Sequence, residues 1–205
     1  MPTSTGSSTR ARTGVSRPSG RPERSGARPS GGRAAPAIRI REGTAADARA
    51  CAEVHVEGWR WAYRGLLPDD YLDRLSVVDR ERMWREGFAE PGERVAWVAE
   101  REGRVVGFCV TGPSEDADAD RATAEVYAIY LRPEVVGTGV GRALLEHATA
   151  DLRRRGFRRA TLWVLEANER ARRFYERAGW RPDGAVNEER FDGANLPTVR
   201  YRVEL

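Results

Sequence analysis

The chain of 205 residues contains no lysine, only two cysteines and two histidines, and no long run of apolar residues. The missing lysine excludes a P-loop, because that phosphate-binding motif ends in Gly-Lys-Ser or Gly-Lys-Thr. Cys51 and Cys109 are too few for a disulfide framework, and Cys51 and His55, one helical turn apart, lack a third ligand or an orienting acid. No segment is apolar for long enough to span a bilayer or to form the core of a signal peptide. We therefore expect a cytoplasmic protein with reduced thiols, no metal and no membrane contact.

Positive charge is concentrated in residues 1–37. This segment holds seven Arg and one Glu among Ser, Gly, Pro and Thr, with almost no large apolar side chain. Such a composition cannot bury enough surface to offset the entropy of ordering the chain, so we expect a disordered tail. Its net charge of +6, within a total of +4, leaves −2 for residues 38–205. A solvated arm is favoured over a nucleic-acid contact, because no aromatic side chain is interleaved for base stacking.

Residues 38–205 are long enough for one domain with a single core. Hydrophobic periodicity predicts strands at 38–41, 95–100, 105–110, 124–131, 160–165 and 199–203. It predicts helices at 44–58, 69–75, 77–88, 140–155 and from 168 onward, and Glu102-Gly103 is a hairpin signal. The strands first form a meander and then alternate with helices. This order predicts an α/β (α+β) fold, a mixed and mostly antiparallel sheet with helices on both faces.

The most informative motif is the glycine-rich loop at 136–142, which follows a predicted strand and opens a predicted helix. Its sequence is Val-Gly-Thr-Gly-Val-Gly-Arg. The glycines let the backbone approach a ligand closely, and the first N–H groups of the helix have no partner within it, an arrangement that suits a pyrophosphate. A dinucleotide fingerprint is excluded, because it needs glycine in place of Arg142 and an acidic residue near Thr161. Taken alone, the loop is also compatible with a tight turn that binds no ligand.

A second motif, Asn-x-x-Ala-x-x-Phe-Tyr-x-x-x-Gly-Trp at 168–180, follows the predicted strand 160–165. Asn168 suits a helix N-cap and Gly179 a C-terminal cap, so these residues alone describe a capped core helix. In this order, the two motifs resemble the GNAT superfamily of acyl-CoA-dependent N-acetyltransferases. The resemblance is nearest to bacterial members that acetylate polyamines or other small amines. It spans about residues 38–205 and is sharpest between 125 and 180.

The resemblance implies a GNAT fold of about six or seven strands with acetyl-CoA as co-substrate. Two central strands splay apart in this family and admit the pantetheine arm. The expected cofactor contacts lie at the strand end, in the glycine-rich loop and at the N-cap: Ile129, Tyr130, Leu131, Val136, Gly137, Thr138, Gly139, Val140, Gly141, Arg142 and Asn168. Val136 stands where the superfamily usually has Gln or Arg. We expect this change to weaken cofactor binding without removing the backbone donors.

Acetyl transfer to an amine needs a base for the ammonium, a donor for the oxyanion and an acid for the CoA thiolate. Tyr175 matches the tyrosine that points at the thioester sulfur in many relatives and is the expected acid, with a packed aromatic as the alternative. Glu125 is the expected base through water, because partial desolvation would raise its pKa. A salt-bridged strand glutamate is the alternative. An N–H group within 129–131 is the expected oxyanion donor.

The acceptor is expected to contact Trp59, Tyr63 and Tyr127, although core packing explains part of this aromatic set. The acidic loop at 114–120 could attract a cationic acceptor, but solvated loop charge is the commoner explanation. We expect transfer to a primary amine of a small molecule by direct attack in a ternary complex. Protein N-terminal or lysine acetylation and a non-catalytic acyl-CoA sensor are the alternatives. The sequence does not give the acceptor or the oligomeric state, and it leaves a homodimer open.

Overall fold

The computed structural model describes residues 37–90 and 92–205. The predicted disordered tail lies outside the described residues except for its last position. Within the described ranges, no helix is long and apolar enough to cross a bilayer.

The described residues build one seven-stranded sheet. The strands are β1 (Ile38–Glu42), β2 (Val95–Arg101), β3 (Arg104–Pro113), β4 (Thr123–Leu131), β5 (Arg159–Leu165), β6 (Arg181–Phe191) and β7 (Ala194–Glu204). The helices are α1 (Ala48–Ala62), α2 (Asp69–Asp73), α3 (Val77–Ala89), α4 (Val140–Arg154) and α5 (Glu169–Arg177). The strand order is β1-β2-β3-β4-β5-β7-β6, with β4 and β5 parallel and all other neighbours antiparallel. The predicted mixed, mostly antiparallel sheet is confirmed.

Helices cover both faces of the sheet because its central strands are apolar on both sides. In β3, Val105 and Phe108 pack with residues of α1 and α3, while Val106 and Cys109 pack with α4. A bulge in the β2–β3 register at Val106 shifts the usual alternation by one residue, so residues three apart share a face and one apolar strand supplies two cores. The predicted hairpin at Glu102-Gly103 is also confirmed, because both residues have positive φ and join β2 to β3.

The parallel pair of strands separates soon after it begins. β4 and β5 share only three rungs, from Thr123–Arg159 to Glu125–Thr161. Beyond them β4 stays paired with β3 as far as Leu131, and β5 stays paired with β7. Within residues 37–90 and 92–205, the half of β4 after Glu125 therefore has no strand on its β5 side, which agrees with the splayed pair that the resemblance implies.

The hairpin of β6 and β7 is a feature that the sequence analysis missed. Only 199–203 was predicted as a strand, whereas the hairpin covers most of 181–204. Periodicity failed because β6 is a largely exposed edge strand with Pro182 and Gly184 near its start. The signal that could have found it is Asp192-Gly193, both with positive φ in a two-residue turn between Phe191 and Ala194.

Helix α1 starts later and ends later than predicted. Thr44 N–H donates to Asp47 Oδ2 at 2.8 Å, as expected of a capping box, but it opens a 3₁₀ turn at Ala45–Asp47 before the helix begins. The helix then continues four residues past Gly58 to Ala62. This extension places Trp59 on the last turn of the helix, where Tyr63 follows one turn later.

Candidate active site

A cleft of about 680 Å³ opens where β4 and β5 separate. It is lined by the end of α1, β4 from Glu125 onward, the glycine-rich loop with the start of α4, the end of β5, α5 and the β6–β7 hairpin. Fourteen of the residues predicted from the sequence line it: Trp59, Tyr63, Glu125, Tyr127, Ile129, Tyr130, Leu131, Val136, Gly137, Gly139, Gly141, Arg142, Asn168 and Tyr175. Thr138 and Val140 do not line it. The fold thus brings residues that are far apart in the sequence to one opening.

The glycine-rich loop presents a row of free backbone donors. Gly137 and Gly139 have φ of +80° and +92°, and a Cβ at either position would meet no atom within 4 Å. Among the described residues, the N–H groups of Gly137, Gly139, Gly141 and Arg142 have no hydrogen-bond acceptor. They lie at the N-terminus of α4, where the helix dipole adds positive potential. This open cradle fits an anionic group such as a diphosphate.

Two residues of the loop are committed to the fold instead. Thr138 donates to the carbonyl of Val135 from both its N–H group, at 3.3 Å, and its Oγ1, at 2.7 Å. Val140, the first residue of α4, is buried in the core cluster that also contains residues of β5. Thr138 and Val140 therefore shape the turn, and neither side chain reaches the cleft. Val136 does line it, and its aliphatic side chain offers no donor.

Asn168 forms the N-cap that the sequence predicts. Its Oδ1 accepts a hydrogen bond from the N–H of Ala171 at 3.1 Å, while its Nδ2 has no partner in the described part of the chain. The side chain is buried at the cleft wall, so the amide group that remains is available to a ligand.

Tyr175 is buried at the cleft with an unbonded hydroxyl. Its ring packs against Phe174 at 5.2 Å and Tyr201 at 6.2 Å. Its hydroxyl makes no hydrogen bond to a described residue, and burial raises its pKa. A purely structural tyrosine at this depth would be expected to satisfy its hydroxyl. The ring is packed, as the alternative interpretation required, but the hydroxyl remains free to act on a ligand.

Glu125 lies on the last shared rung of β4 and β5 and is 9% exposed. Its Oε2 accepts long hydrogen bonds from Ser114 Oγ at 3.4 Å and from the N–H of Glu115 at 3.5 Å. No guanidinium of the described residues lies within ion-pair distance. Burial and the charge of Asp116 raise its pKa, as expected of a base. The alternative of a salt-bridged strand glutamate is wrong.

The acidic loop at 114–120 is held by ion pairs to arginines, although the side chains of Glu115, Asp118 and Asp120 remain largely exposed. Arg200 of β7 binds Asp116 at 2.9 Å, Asp118 at 2.6 Å and Asp183 at 2.8 Å. The indole Nε1 of Trp163 donates to Asp116 at 2.9 Å. The loop carboxylates therefore neutralise a mostly buried guanidinium and fix the loop beside Glu125.

The predicted acceptor residues Trp59, Tyr63 and Tyr127 all line the cleft. Tyr63 and Tyr130 share a hydrogen bond between their hydroxyls at 2.9 Å. Trp59 packs edge-on to Tyr63 at 5.1 Å. Tyr127 donates its hydroxyl to the Pro113 carbonyl, so only its ring remains for an acceptor.

Several residues that line the cleft were missed by the sequence analysis. Four of them belong to β6, the strand that was not predicted: Asn187, Glu188, Glu189 and Phe191. Arg170 of α5 also lines the cleft, and its guanidinium stacks on Trp61 at 3.4 Å. No group of His, Cys, Asp and Glu in the described ranges could hold a metal. Cys51 and His55 are both buried, and His55 also lines the cleft.

Sequence comparison gives a consistent picture. The model of the acetyltransferase (GNAT) family matches residues 56–180. An uncharacterized N-acetyltransferase of Bacillus subtilis, YuaI, is 35% identical over 131 residues, which cover 64% of this chain and 73% of that protein. A probable N-acetyltransferase of Mycobacterium tuberculosis is 31% identical over 176 residues, which cover 81% of this chain and 93% of that protein.

Solved structures share the fold at lower identity. The PaiA N-acetyltransferase of Thermoplasma acidophilum, crystallised with coenzyme A, has a TM-score of 0.60 at 20% identity and covers 82% of this chain and 99% of its own. YncA of Salmonella typhimurium, crystallised with acetyl-CoA, has a TM-score of 0.61 at 22% identity and covers 82% and 93%. The family match extends over more than half of the sequence, and the open strand pair and glycine-rich loop lie within it. The chain therefore belongs to the GNAT family of acetyltransferases.

Proposed function

We propose that the protein transfers the acetyl group of acetyl-CoA to a primary amine of a small-molecule acceptor, by direct attack within a ternary complex. Membership of the GNAT family supports acetyl transfer to nitrogen as the reaction class. The observation that carries the proposal is that one cleft contains both a row of free N–H donors and the unbonded Tyr175 hydroxyl.

The donor side of the cleft suits a long anionic thioester. The N–H groups of Gly137, Gly139, Gly141 and Arg142 would hold the diphosphate, with the dipole of α4 behind them. The unpaired edge of β4 at 129–131 offers backbone groups to the pantetheine amides, because no strand occupies its β5 side. Nδ2 of Asn168 is a further donor at the same wall.

The reaction needs three proton transfers, and Glu125 and Tyr175 can carry them. Glu125 takes the first ammonium proton through water, and its raised pKa brings it closer to the working pH of a base. The neutral amine nitrogen then attacks the thioester carbonyl carbon to form a C–N bond and a tetrahedral oxyanion, and the C–S bond breaks as the carbonyl re-forms. Tyr175 gives its hydroxyl proton to the departing thiolate, and the second proton that the nitrogen loses on becoming an amide returns to the tyrosinate. An N–H group within 129–131 stabilises the oxyanion.

The charge of the cleft favours a cationic acceptor. Glu125 and Glu189 both line it without an ion-pair partner among the described residues. Of the guanidinium groups that line it, Arg142 pairs with Glu146 at 2.7 Å and Arg170 stacks on Trp61. Amines are protonated at neutral pH, so unpaired carboxylates would attract them before deprotonation.

Release of free thiol from acetyl-CoA tests the proposal. The assay compares a panel of small primary amines with peptides that carry a free N-terminus or a lysine. Turnover with small amines and none with peptides is the expected result. Turnover confined to peptides would assign a protein acceptor instead. Binding of coenzyme A by calorimetry without turnover of any amine would indicate a sensor.

A further inference from the structure

The acceptor end of the cleft contains an aromatic pocket made of Trp59, Tyr63, Tyr130 and Phe191. All four residues line the cleft. The ring centroid of Trp59 lies 5.1 Å from that of Tyr63, 5.9 Å from that of Phe191 and 6.1 Å from that of Tyr130. These rings form an apolar wall, and its surface is larger than the smallest amine acceptor could cover.

A carboxylate without a cation of its own borders this pocket. Glu189 of β6 lines the cleft, and within the described ranges it makes no hydrogen bond or ion pair. Burial raises its pKa, and no neighbouring charge offsets the effect. Its charge adds to burial in raising the pKa of Tyr63 and of Tyr130, so the carboxylate acts on both hydroxyls. Glu189 is exposed, so its carboxylate is open to a cationic ligand that enters the cleft.

The other polar groups in the pocket are neutral and can accept hydrogen bonds. The Tyr63 and Tyr130 hydroxyls use one proton between them, which leaves oxygen lone pairs for a donor. His55, 8% exposed, stacks on Tyr130 at 5.4 Å, and its Nδ1 has no partner in the described part of the chain. Burial and the charge of Arg80 lower the pKa of His55 to about 3, so the imidazole is neutral.

No cation of the described residues fills the pocket. Arg80 lies 5.4 Å from the Trp59 ring centroid, but it does not line the cleft. Arg142 and Arg170, which do line it, form no ion pair with Glu189. Ring faces, hydroxyl oxygens and an unpaired carboxylate are together the groups that bind an alkylammonium ion.

We propose that this pocket binds a second positive charge on the acceptor, so that the preferred acceptors are alkylamines with two ammonium groups. The inference rests on the proposed function and extends it. One amine is acetylated beside Tyr175 and Glu125, and the other ammonium is held against Glu189. The aromatic rings cover the methylene chain between them.

Kinetics with two acceptors of equal chain length test the inference. Thiol release is measured with butylamine and with 1,4-diaminobutane. We expect the diamine KM to be about tenfold lower, and Glu189→Gln to raise it about tenfold, a much larger increase than the same substitution causes in the KM of butylamine, with the KM of acetyl-CoA unchanged. Glu166→Gln, an exposed carboxylate outside the cleft, is the control for net charge and should change none of these values.

Calorimetry without acetyl-CoA separates this inference from the proposed function. Wild type should bind 1,4-diaminobutane more tightly than butylamine, and Glu189→Gln should lose the difference. Equal KM and equal binding for the two amines would overturn the subsite and leave the proposed function standing. Diamine binding that depends on Glu189, without thiol release from either amine, would overturn the proposed function and keep the subsite.

Discussion

Two residues in the cleft lack the partners that a buried polar side chain normally has. Tyr175 is as buried as a core tyrosine, yet its hydroxyl has no partner among the described residues. Glu125 is buried without the cation that a structural carboxylate would need. Both exceptions face the same opening. Unmet hydrogen bonds and charges in a cleft cost stability, and binding or chemistry explains why they are kept.

Removing the Tyr175 hydroxyl should affect turnover more than binding. We expect Tyr175→Phe to lower kcat about 100-fold, because general acid catalysis contributes at least that much, and to leave the KM for acetyl-CoA within about twofold. Steady-state thiol release measures both values. Tyr71→Phe, a tyrosine outside the cleft, is the matched control. An unchanged kcat in Tyr175→Phe would remove the assigned acid.

The raised pKa of Glu125 should appear in both activity and stability. Because a base works only when deprotonated, kcat/KM should fall as the pH drops through the raised pKa, and Glu125→Gln should lose about 100-fold in rate together with this acid limb. In the folded protein the proton binds more tightly than in the unfolded chain. Its contribution to stability is therefore present at low pH and lost as the pH rises through the folded pKa.

The same substitution should consequently stabilise the fold at neutral pH. We expect Glu125→Gln to have a higher Tm than wild type at pH 7.5, and a smaller difference at low pH, where wild-type Glu125 is protonated as well. Thermal unfolding followed by circular dichroism at several pH values measures this. A lower Tm for the variant at pH 7.5 would contradict an uncompensated buried carboxylate.

At the scale of elements, the glycine-rich loop was predictable from sequence because its function depends on the backbone. Spaced glycines between a strand and a helix determine both the positive φ and the free donors, and both are local properties. The second motif was predictable for the same reason, since its N-cap is a contact over three residues. The role of Thr138 was not, because its hydroxyl could bond either to the turn or to a ligand.

A matched pair of glycine substitutions tests the loop. Gly139 and Gly156 have nearly the same φ, +92° and +93°, and open space where a Cβ would lie. Aspartate at either site should cost about 1–2 kcal/mol of stability, because both residues adopt a left-handed backbone conformation that a side chain disfavours. Only Gly139→Asp should abolish coenzyme A binding by calorimetry, since its carboxylate faces the diphosphate. Normal affinity in Gly139→Asp would contradict the assignment of the cradle.

The acceptor side was less predictable because it depends on elements far apart in sequence. The lining residues of β6 become neighbours of Trp59 and Tyr130 only after the sheet has formed. The ion pairs that tie the acidic loop to Arg200 were not predicted for a similar reason, because Arg200 lies more than 80 residues away. Spacing along the chain cannot reveal such pairs, although Asp192-Gly193 could have indicated the hairpin.

Arg200 links the acidic loop to two strands, and its loss should be costly. Arg200→Met would leave Asp116 and Asp183 buried without a cation, so we expect a loss of about 3 kcal/mol in the free energy of unfolding. Urea denaturation measures the change. Arg202→Met on the same strand is the control, because Arg202 is exposed and has only a long contact with Glu204 at 3.7 Å. Equal losses in the two variants would refute the structural role of Arg200.

At the scale of the whole molecule, charge and fold are divided between two parts of the chain. The basic excess lies in residues 1–37, whereas the described residues contain the sheet, both of its cores and the cleft. The composition of the tail predicts that it contributes nothing to the core. That residues 1–37 form a disordered, solvated arm stays a prediction.

Deletion of residues 1–36 tests this division. We expect the shortened protein to keep its Tm within about 2 °C and its kcat within about twofold, because no large apolar surface is removed. Thermal unfolding and thiol release measure the two values in parallel with the full chain. Loss of soluble protein, or of activity at an unchanged Tm, would show that the tail supports the domain.

Because β4 and β5 pair over only three rungs, the sheet consists of two halves joined by a short parallel contact. Beyond that contact, in the described part of the chain, the backbone of β4 lacks the hydrogen bonds that a continuous ladder with β5 would supply. A bound thioester would act as an incomplete eighth strand, and occupancy would stiffen the molecule across its weakest line. Recognition of the donor and completion of the sheet would then be the same physical event.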